Sequence, residues 1–251
     1  MPRSEFKAVV LDLFDTLVKW EPERLPLMEF RGREVRTTMP WVFPKLAERL
    51  GGAFDQDGFV DVYGSVLDEI NAEREHHGSE ITCNERFERT LKRYFHGADH
   101  EVNAFAEELT RAHMAQVRAV TWAPQSRIDA VRRIAPHYRL ALLSNFDDAR
   151  CGREVLLDTG VAELFEAVII SAEVGLRKPN PQIFRRMLAM LDLAPHEVLF
   201  VGDTPRDDVL GASQVGIPTA WISRGRALPD DIPTPHFTIS DLAELPALLE
   251  V

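Results

Sequence analysis

Short, uninterrupted apolar runs recur along the chain at Ala8–Leu13, Leu140–Leu143, Ala167–Ile170, Val198–Val201 and Thr219–Ile222. Runs of this length without polar alternation suit strands covered on both faces, and they predict a parallel sheet. Between them, apolar positions return at helical spacing. Ile183, Phe184, Met187 and Leu188 do so within Asn180–Leu191, and Val209, Leu210 and Ala212 within Asp207–Val215. Strand followed by helix, repeated, predicts a doubly wound, Rossmann-like α/β fold whose ligands sit beyond the carboxyl ends of the strands.

From Val18 to Val120 the pattern changes to helices without clear strands. Residues 1–17 and 121–251 are therefore expected to form the α/β core domain, and residues 18–120 an inserted α-helical cap domain. One helix is expected over Asp57–His76, with Phe59, Tyr63, Val66, Leu67 and Ile70 on one face, and another carries Phe87, Leu91 and Phe95. Pro22, Pro26, Pro40 and Pro44 predict a long irregular entry loop over Glu21–Pro44.

A chain of 251 residues can bury a sizeable core without covalent staples. Its two cysteines, Cys83 and Cys151, have neither disulfide-framework nor zinc-ligand spacing, which fits a reducing compartment and makes the cytoplasm the default location. The apolar run near the start is broken by Asp12 and Asp15, so it suits neither a signal peptide nor a membrane span, and no membrane association is expected. With 40 acidic and 29 basic residues, a net charge of −11 disfavours non-specific binding to nucleic acid.

Asp12, Thr16, Ser144, Asn145, Lys178, Asp203 and Asp208 all fall at or just after the carboxyl end of a predicted strand, or in the loop that follows. Each alone reads as a turn, a cap or a solvated charge. A doubly wound sheet brings those ends together. In the order LDLFDTL, LLSN, RKP and VGDTPRDD, the sequence resembles the motif regions of haloacid dehalogenase-like hydrolases, and the resemblance spans the core. The helical insertion after the first region is similar to that superfamily's helical cap.

The resemblance implies that Asp12 is the nucleophile, attacking the electrophile to give a covalent aspartyl intermediate. Lys178 would keep that carboxylate ionised and offset negative charge developing on the transferred group. Thr16, Ser144 and Asn145 would place phosphoryl oxygens, although Ser-Asn read alone is a strand-to-helix turn or an N-cap. Asp203 would bind a hard cation, and Asp208 would reach it through water or orient Lys178; otherwise Asp203 is a turn residue and Asp207 or Asp208 caps the next helix. The implied cofactor is Mg²⁺, held by Asp12, the main-chain carbonyl of Phe14, Asp203 and Asp208. The implied substrate is a small phosphorylated molecule.

One position departs from the pattern. Phosphatases of this superfamily carry a second aspartate two residues after the nucleophile to protonate the leaving oxygen, and here that residue is Phe14. Loss of a general acid/base typically costs on the order of 10² to 10⁴ in rate. Asp15 substitutes only if the backbone turns its side chain inward. Two alternatives to the phosphatase reading follow: a 2-haloacid dehalogenase, because a halide leaves without a proton, and a low-turnover protein that binds a phosphorylated ligand. Crowded carboxylates in VGDTPRDD favour a cation and hence phosphate. In FRGREVRTTMPW, Arg31, Arg33 and Arg36 with Thr37, Thr38 and Trp41 form either an anion clamp or a solvated loop, the latter being usual for arginine. His76 and His77 read as exposed helix-end residues.

Overall fold

The computed structural model describes residues 6–30, 32–95 and 99–251. In chain order its strands are β1 (Ala8–Leu11), β2 (Lys19–Trp20), β3 (Leu27–Phe30), β4 (Arg33–Arg36), β5 (Thr121–Trp122), β6 (Arg139–Ser144), β7 (Phe165–Ile170), β8 (Val198–Gly202), β9 (Thr219–Ile222) and β10 (Phe237–Ile239). The chain separates into two compact units. One comprises the residues up to Lys19, Gly78–Glu80 and Trp122–Val251; the other comprises Trp20–His77 and Ile81–Thr121.

The first unit is built on a six-stranded sheet in the order β10-β9-β8-β1-β6-β7, with every pairing parallel. Every residue of β1, β8 and β9 is buried, which accounts for their unbroken apolar runs. β1 lies between β6 and β8, with Leu11 level with both Leu142 and Val201. The chain leaves β1 in one direction and later returns to its other side, so the strand ends diverge there and open a crevice. Asp12, Ser144 and Asp203 all emerge at this edge.

One face of the sheet is covered by the helix Pro181–Leu191, which buries Ile183, Phe184, Met187, Leu188 and Leu191. Asn180 caps it by accepting a hydrogen bond from the Gln182 N–H at 2.9 Å, and Pro181 occupies the first turn, where its missing N–H costs nothing. The ring of Phe184 lies 5.3 Å from that of Phe200 on β8. A Cβ on Gly211 would come within 2.7 Å of Phe184, so a glycine is needed there for close approach. Thr204 opens a wide π-helical turn over Pro205–Leu210, followed by one α-helical turn at Gly211–Ser213, where the sequence predicts a single α-helix over Asp207–Val215. The wider turn brings Asp208 back so that its Oδ2 accepts the Thr204 N–H at 2.9 Å.

The second unit carries helices Met39–Leu50, Gln56–His77, Cys83–Tyr94 and Asp99–Ala119. Phe43, Phe54, Phe59 and Tyr94 meet in edge-to-face and tilted contacts at its core. Thr82 caps Cys83–Tyr94 by accepting from the Glu85 N–H, and His76 and His77 are exposed at a helix end. Two expectations are corrected here. The region is not strand-free, because β3 and β4 form an antiparallel hairpin pairing Leu27 with Arg36 and Phe30 with Arg33. Nor is Glu21–Pro44 an irregular loop: the hairpin follows a short helical turn at Pro22–Arg24, and the helix begins at Met39. Gly32, at φ 76°, supplies a left-handed turn residue, while Pro22 and Pro40 start helices rather than break them. Both hairpin strands are largely exposed, and their weak period-two signal lacks a buried face.

Arg31 lies outside the described residues. Arg33 and Arg36 are exposed, Arg36 donating to the Leu25 carbonyl at 2.8 Å, as the solvated reading expects, whereas Thr38 departs from it, being buried against His113 Nδ1 at 2.6 Å. Among the described residues no helix is long and apolar enough to cross a membrane. Phe184→Ala is expected to destabilise the protein by about 3–5 kcal/mol in urea unfolding, through lost burial and a residual cavity. A loss under about 1 kcal/mol would contradict the packing described for this face.

Candidate active site

Asp12 follows β1 directly, and its N–H donates to the Val201 carbonyl at 2.9 Å, fixing it at the crevice. Lys178 Nζ, on a side chain only 2% exposed, donates to Asp12 Oδ1 at 2.8 Å and to Asp208 Oδ1 at 2.6 Å. Lys178 is held by its main chain: its N–H donates to Asn145 Oδ1 at 2.8 Å, and its carbonyl accepts from Asn145 Nδ2 at 2.9 Å. Asn145 Nδ2 also donates to Asp207 Oδ2 at 3.0 Å. The Asn145 side chain is thus engaged in positioning Lys178, and what it can offer an anion is its main chain.

The oxygens of Asp12, Asp203 and Asp208 lie within 4.8 Å of one another, and all three residues are buried. Such an oxygen-only donor set is what a hard divalent cation takes. Gly202, the last residue of β8, makes the cluster possible, since a Cβ there would sit 2.3 Å from Asp208 Cγ. Asp203 is held through its carbonyl by Trp221 Nε1 at 3.1 Å and Arg226 Nη2 at 2.7 Å, and its carboxylate faces Arg226 at 3.3 Å and Arg224 at 3.6 Å. Thr16 Oγ1 and Ser144 Oγ are buried hydroxyls without a hydrogen-bond partner. An unsatisfied buried polar atom typically costs about 1–3 kcal/mol, so each points to a partner that binding supplies.

Phe14 is half-buried, its ring centroid 4.5 Å from that of Phe146 with the planes inclined by 31°. Asp15 has a left-handed φ of 59°. Its carboxylate lies 3.6 Å from Arg224, while its carbonyl accepts from Arg224 and from Arg127 Nη1, the latter at 3.4 Å. The buried Arg127 also donates to the Val18 carbonyl and pairs with Asp241 at 2.8 Å, so it pins the turn after Asp12. Sequence reasoning passed over Arg127, Arg224 and Arg226. The last two follow β9, and the rule that singled out the other strand ends applies to them equally. Arg127 had no such signal, because its partners lie more than a hundred residues away.

Asp12 and Asp208 share one ammonium, while Asp203 faces two guanidinium groups. Burial raises the Asp12 pKa to about 7, because Lys178 only partly opposes desolvation and Asp208 and Asp203 add to it. Burial also raises Asp203, with Asp208 adding to it and Arg224 and Arg226 opposing. For Lys178, burial acts to lower the pKa, but Asp12 and Asp208 together raise it, so the ammonium stays charged.

A doubly wound sheet with a lysine-paired aspartate at its switch point, beside further buried carboxylates, is the setting in which a hydrolytic site would lie. The chain belongs to the haloacid dehalogenase-like hydrolases, whose family model matches residues 6–216. It is 30% identical to a phosphoserine phosphatase of Thermus thermophilus over 250 residues, covering 95% of this chain and 97% of the relative. In fold it is similar to a 2-haloacid dehalogenase from Pseudomonas syringae pv. Tomato, with a TM-score of 0.70, 20% identity and 98% of both chains covered. It is also similar to a phosphatase from Thermococcus onnurineus, with a TM-score of 0.63, 23% identity and coverage of 97% and 98%.

An aspartic acid whose folded-state pKa stands above its ordinary 3.8 contributes stability that is full below that value and lost as the pH rises through about 7. Asparagine at this position cannot ionise and escapes that loss. With chelator present, the stability of Asp12→Asn relative to wild type should therefore grow between about pH 4 and pH 8 in urea unfolding. A difference that is flat or shrinks with pH would contradict the electrostatics described here.

Proposed function

We propose that the protein is a Mg²⁺-dependent phosphohydrolase acting on a small phosphoester through an aspartyl-phosphate on Asp12. The observation that carries this reading is the pair of buried hydroxyls without a partner among the described residues, Thr16 in the turn after Asp12 and Ser144 at the end of the neighbouring β6, beside a lysine-held carboxylate. A carboxylate oxygen of Asp12 attacks phosphorus, and Lys178 offsets the negative charge gathering on the transferred group. The hydroxyls of Thr16 and Ser144, with main-chain N–H groups around Asn145, hold the phosphoryl oxygens. Asp208 orients Lys178 and is itself fixed by the Thr204 N–H. Asp12, Asp203 and the Phe14 carbonyl would hold Mg²⁺ directly and Asp208 at one remove, in keeping with the oxygen-only cluster. When bound there, Mg²⁺ supplies Lewis-acid stabilisation of phosphoryl charge and relieves repulsion among the carboxylates. The helical unit is read as a cap that selects the substrate, and the relative named a phosphoserine phosphatase supports a small phosphorylated molecule as that substrate.

Phe14 favours a second reading, carbon–halogen hydrolysis, in which the leaving halide needs no proton. The crowding of Asp12, Asp203 and Asp208 argues against it, since a cation there would blunt attack on carbon. Phosphoesters and 2-haloacids offered to the purified protein with Mg²⁺ or with chelator separate the two. Phosphate release that needs Mg²⁺ and falls at least about 10³-fold in Asp12→Asn is expected. Halide release that survives chelation would overturn the phosphatase reading in favour of the second.

A further inference from the structure

Phe14 does more than remove an acid. Its ring meets Phe146, which follows Ser144 and Asn145 at the end of β6, so the aromatic pair joins the strand end bearing the nucleophile to the one bearing the buried hydroxyl. Phe146 is firmly placed. Its N–H donates to Ser171 Oγ at 2.8 Å, and the single proton of that hydroxyl is directed to the buried Glu80 at 2.7 Å, with the Phe146 carbonyl 3.1 Å away. Behind the ring, a Cβ on Gly152 would fall 3.2 Å from Phe146 Cδ1, so the glycine leaves room for it. Phe14 and Phe146 are each half-buried and keep part of their surface exposed.

The carboxyl groups around them are otherwise engaged. Asp15 faces Arg224, Asp203 faces Arg224 and Arg226, Asp207 accepts from Asn145, and Asp208 accepts from Lys178 and Thr204. The position two residues beyond Asp12, where a proton donor would stand, holds a hydrocarbon ring set against Phe146 instead.

We infer that this site is specialised for phosphoryl compounds whose leaving oxygen is a weak base, such as aryl, enol or acyl phosphates, with the Phe14–Phe146 pair as the specificity element. The inference rests on the phosphohydrolase reading above. In the first step a bond forms between an Asp12 carboxylate oxygen and phosphorus, and the bond from phosphorus to the leaving oxygen breaks with its electron pair departing on that oxygen. A weakly basic oxygen is stable as that anion and takes a proton from water afterwards, whereas an alkoxide is not. In the second step a water oxygen bonds to phosphorus, the bond from phosphorus to Asp12 breaks and regenerates the carboxylate, and the proton passes to solvent. The missing acid thus penalises alkyl phosphates by about 10² to 10⁴ relative to acidic leaving groups, and the apolar rings favour a flat, unsaturated one.

The test is kcat/KM with Mg²⁺ for a series of substituted phenyl phosphates of graded leaving-group pKa, together with phosphoserine and glycerol phosphate as alkyl members. kcat/KM covers only the steps through cleavage of the bond to the leaving oxygen. In the wild type it should fall steadily as leaving-group pKa rises, with the alkyl phosphates lowest, about 10² to 10⁴ below the most acidic phenyl phosphates. Phe14→Asp should flatten that slope, raising the alkyl members about 10²- to 10⁴-fold relative to the most acidic phenyl phosphates. Phe14→Leu, which removes the ring without adding an acid, should keep the slope and raise KM for the phenyl members. A shallow slope in the wild type would overturn the inference while leaving the phosphohydrolase standing. Failure to release phosphate from any member would remove the reading beneath it.

Discussion

Lys178 carries an ammonium group into the interior and sets it 2.8 Å from Asp12 and 2.6 Å from Asp208. Removing such charges from water costs several kcal/mol per ion, and the loss is recovered only where geometry is close and the remaining polar atoms are satisfied. Much of the local structure serves that condition. Asn145 grips the Lys178 main chain from both sides, the Thr204 N–H takes the second oxygen of Asp208, and Gly202 leaves the space that Asp208 occupies. The parallel register that places Leu11 level with Leu142 and Val201 brings these loops to one edge of the sheet.

One ammonium does not balance Asp12, Asp203 and Asp208, and the surplus shapes the rest of the site. Arg224 and Arg226 reach in from the loop after β9 to meet Asp203, and Asp12 is left with a raised pKa. A cation would complete the balance and allow Asp12 to act as a full carboxylate. The surroundings of Asp12 then separate two tasks. Lys178 and the buried hydroxyls of Thr16 and Ser144 supply charge and hydrogen-bonding capacity, while the paired rings of Phe14 and Phe146 supply hydrocarbon.

The core sheet was legible because buried parallel strands leave unbroken apolar runs, and the strand-end rule then gathered Asp12, Ser144, Lys178, Asp203 and Asp208 into one region. Less visible were features set by distant partners or by weak local signals. The β3–β4 hairpin has no buried face to impose a clear alternation, and its flanking prolines suggested a loop although two of them open helices. Gly78–Glu80 joins the sheet-bearing unit through a bridge between Ser79 and Leu176 and through Glu80 with Ser171, contacts that span about ninety residues. That the Asn145 side chain grips the Lys178 main chain was equally hidden, since its partner lies 33 residues away. The π-helical turn at Pro205–Leu210 was likewise hidden, since its apolar spacing is compatible with an ordinary helix over so short a stretch.

In the proposed function Asp12 is the group that becomes covalently bonded to phosphorus. Acid quenching of the Mg²⁺-loaded protein during turnover of an aryl phosphate, followed by peptide mass spectrometry, addresses that directly. An aspartyl-phosphate route predicts a phosphoryl group on the peptide containing Asp12, absent in Asp12→Asn. With turnover in heavy-oxygen water, it predicts label in the released phosphate and none in the Asp12 carboxylate. Phosphate release without a trapped Asp12 adduct, or label entering the Asp12 carboxylate, would contradict it.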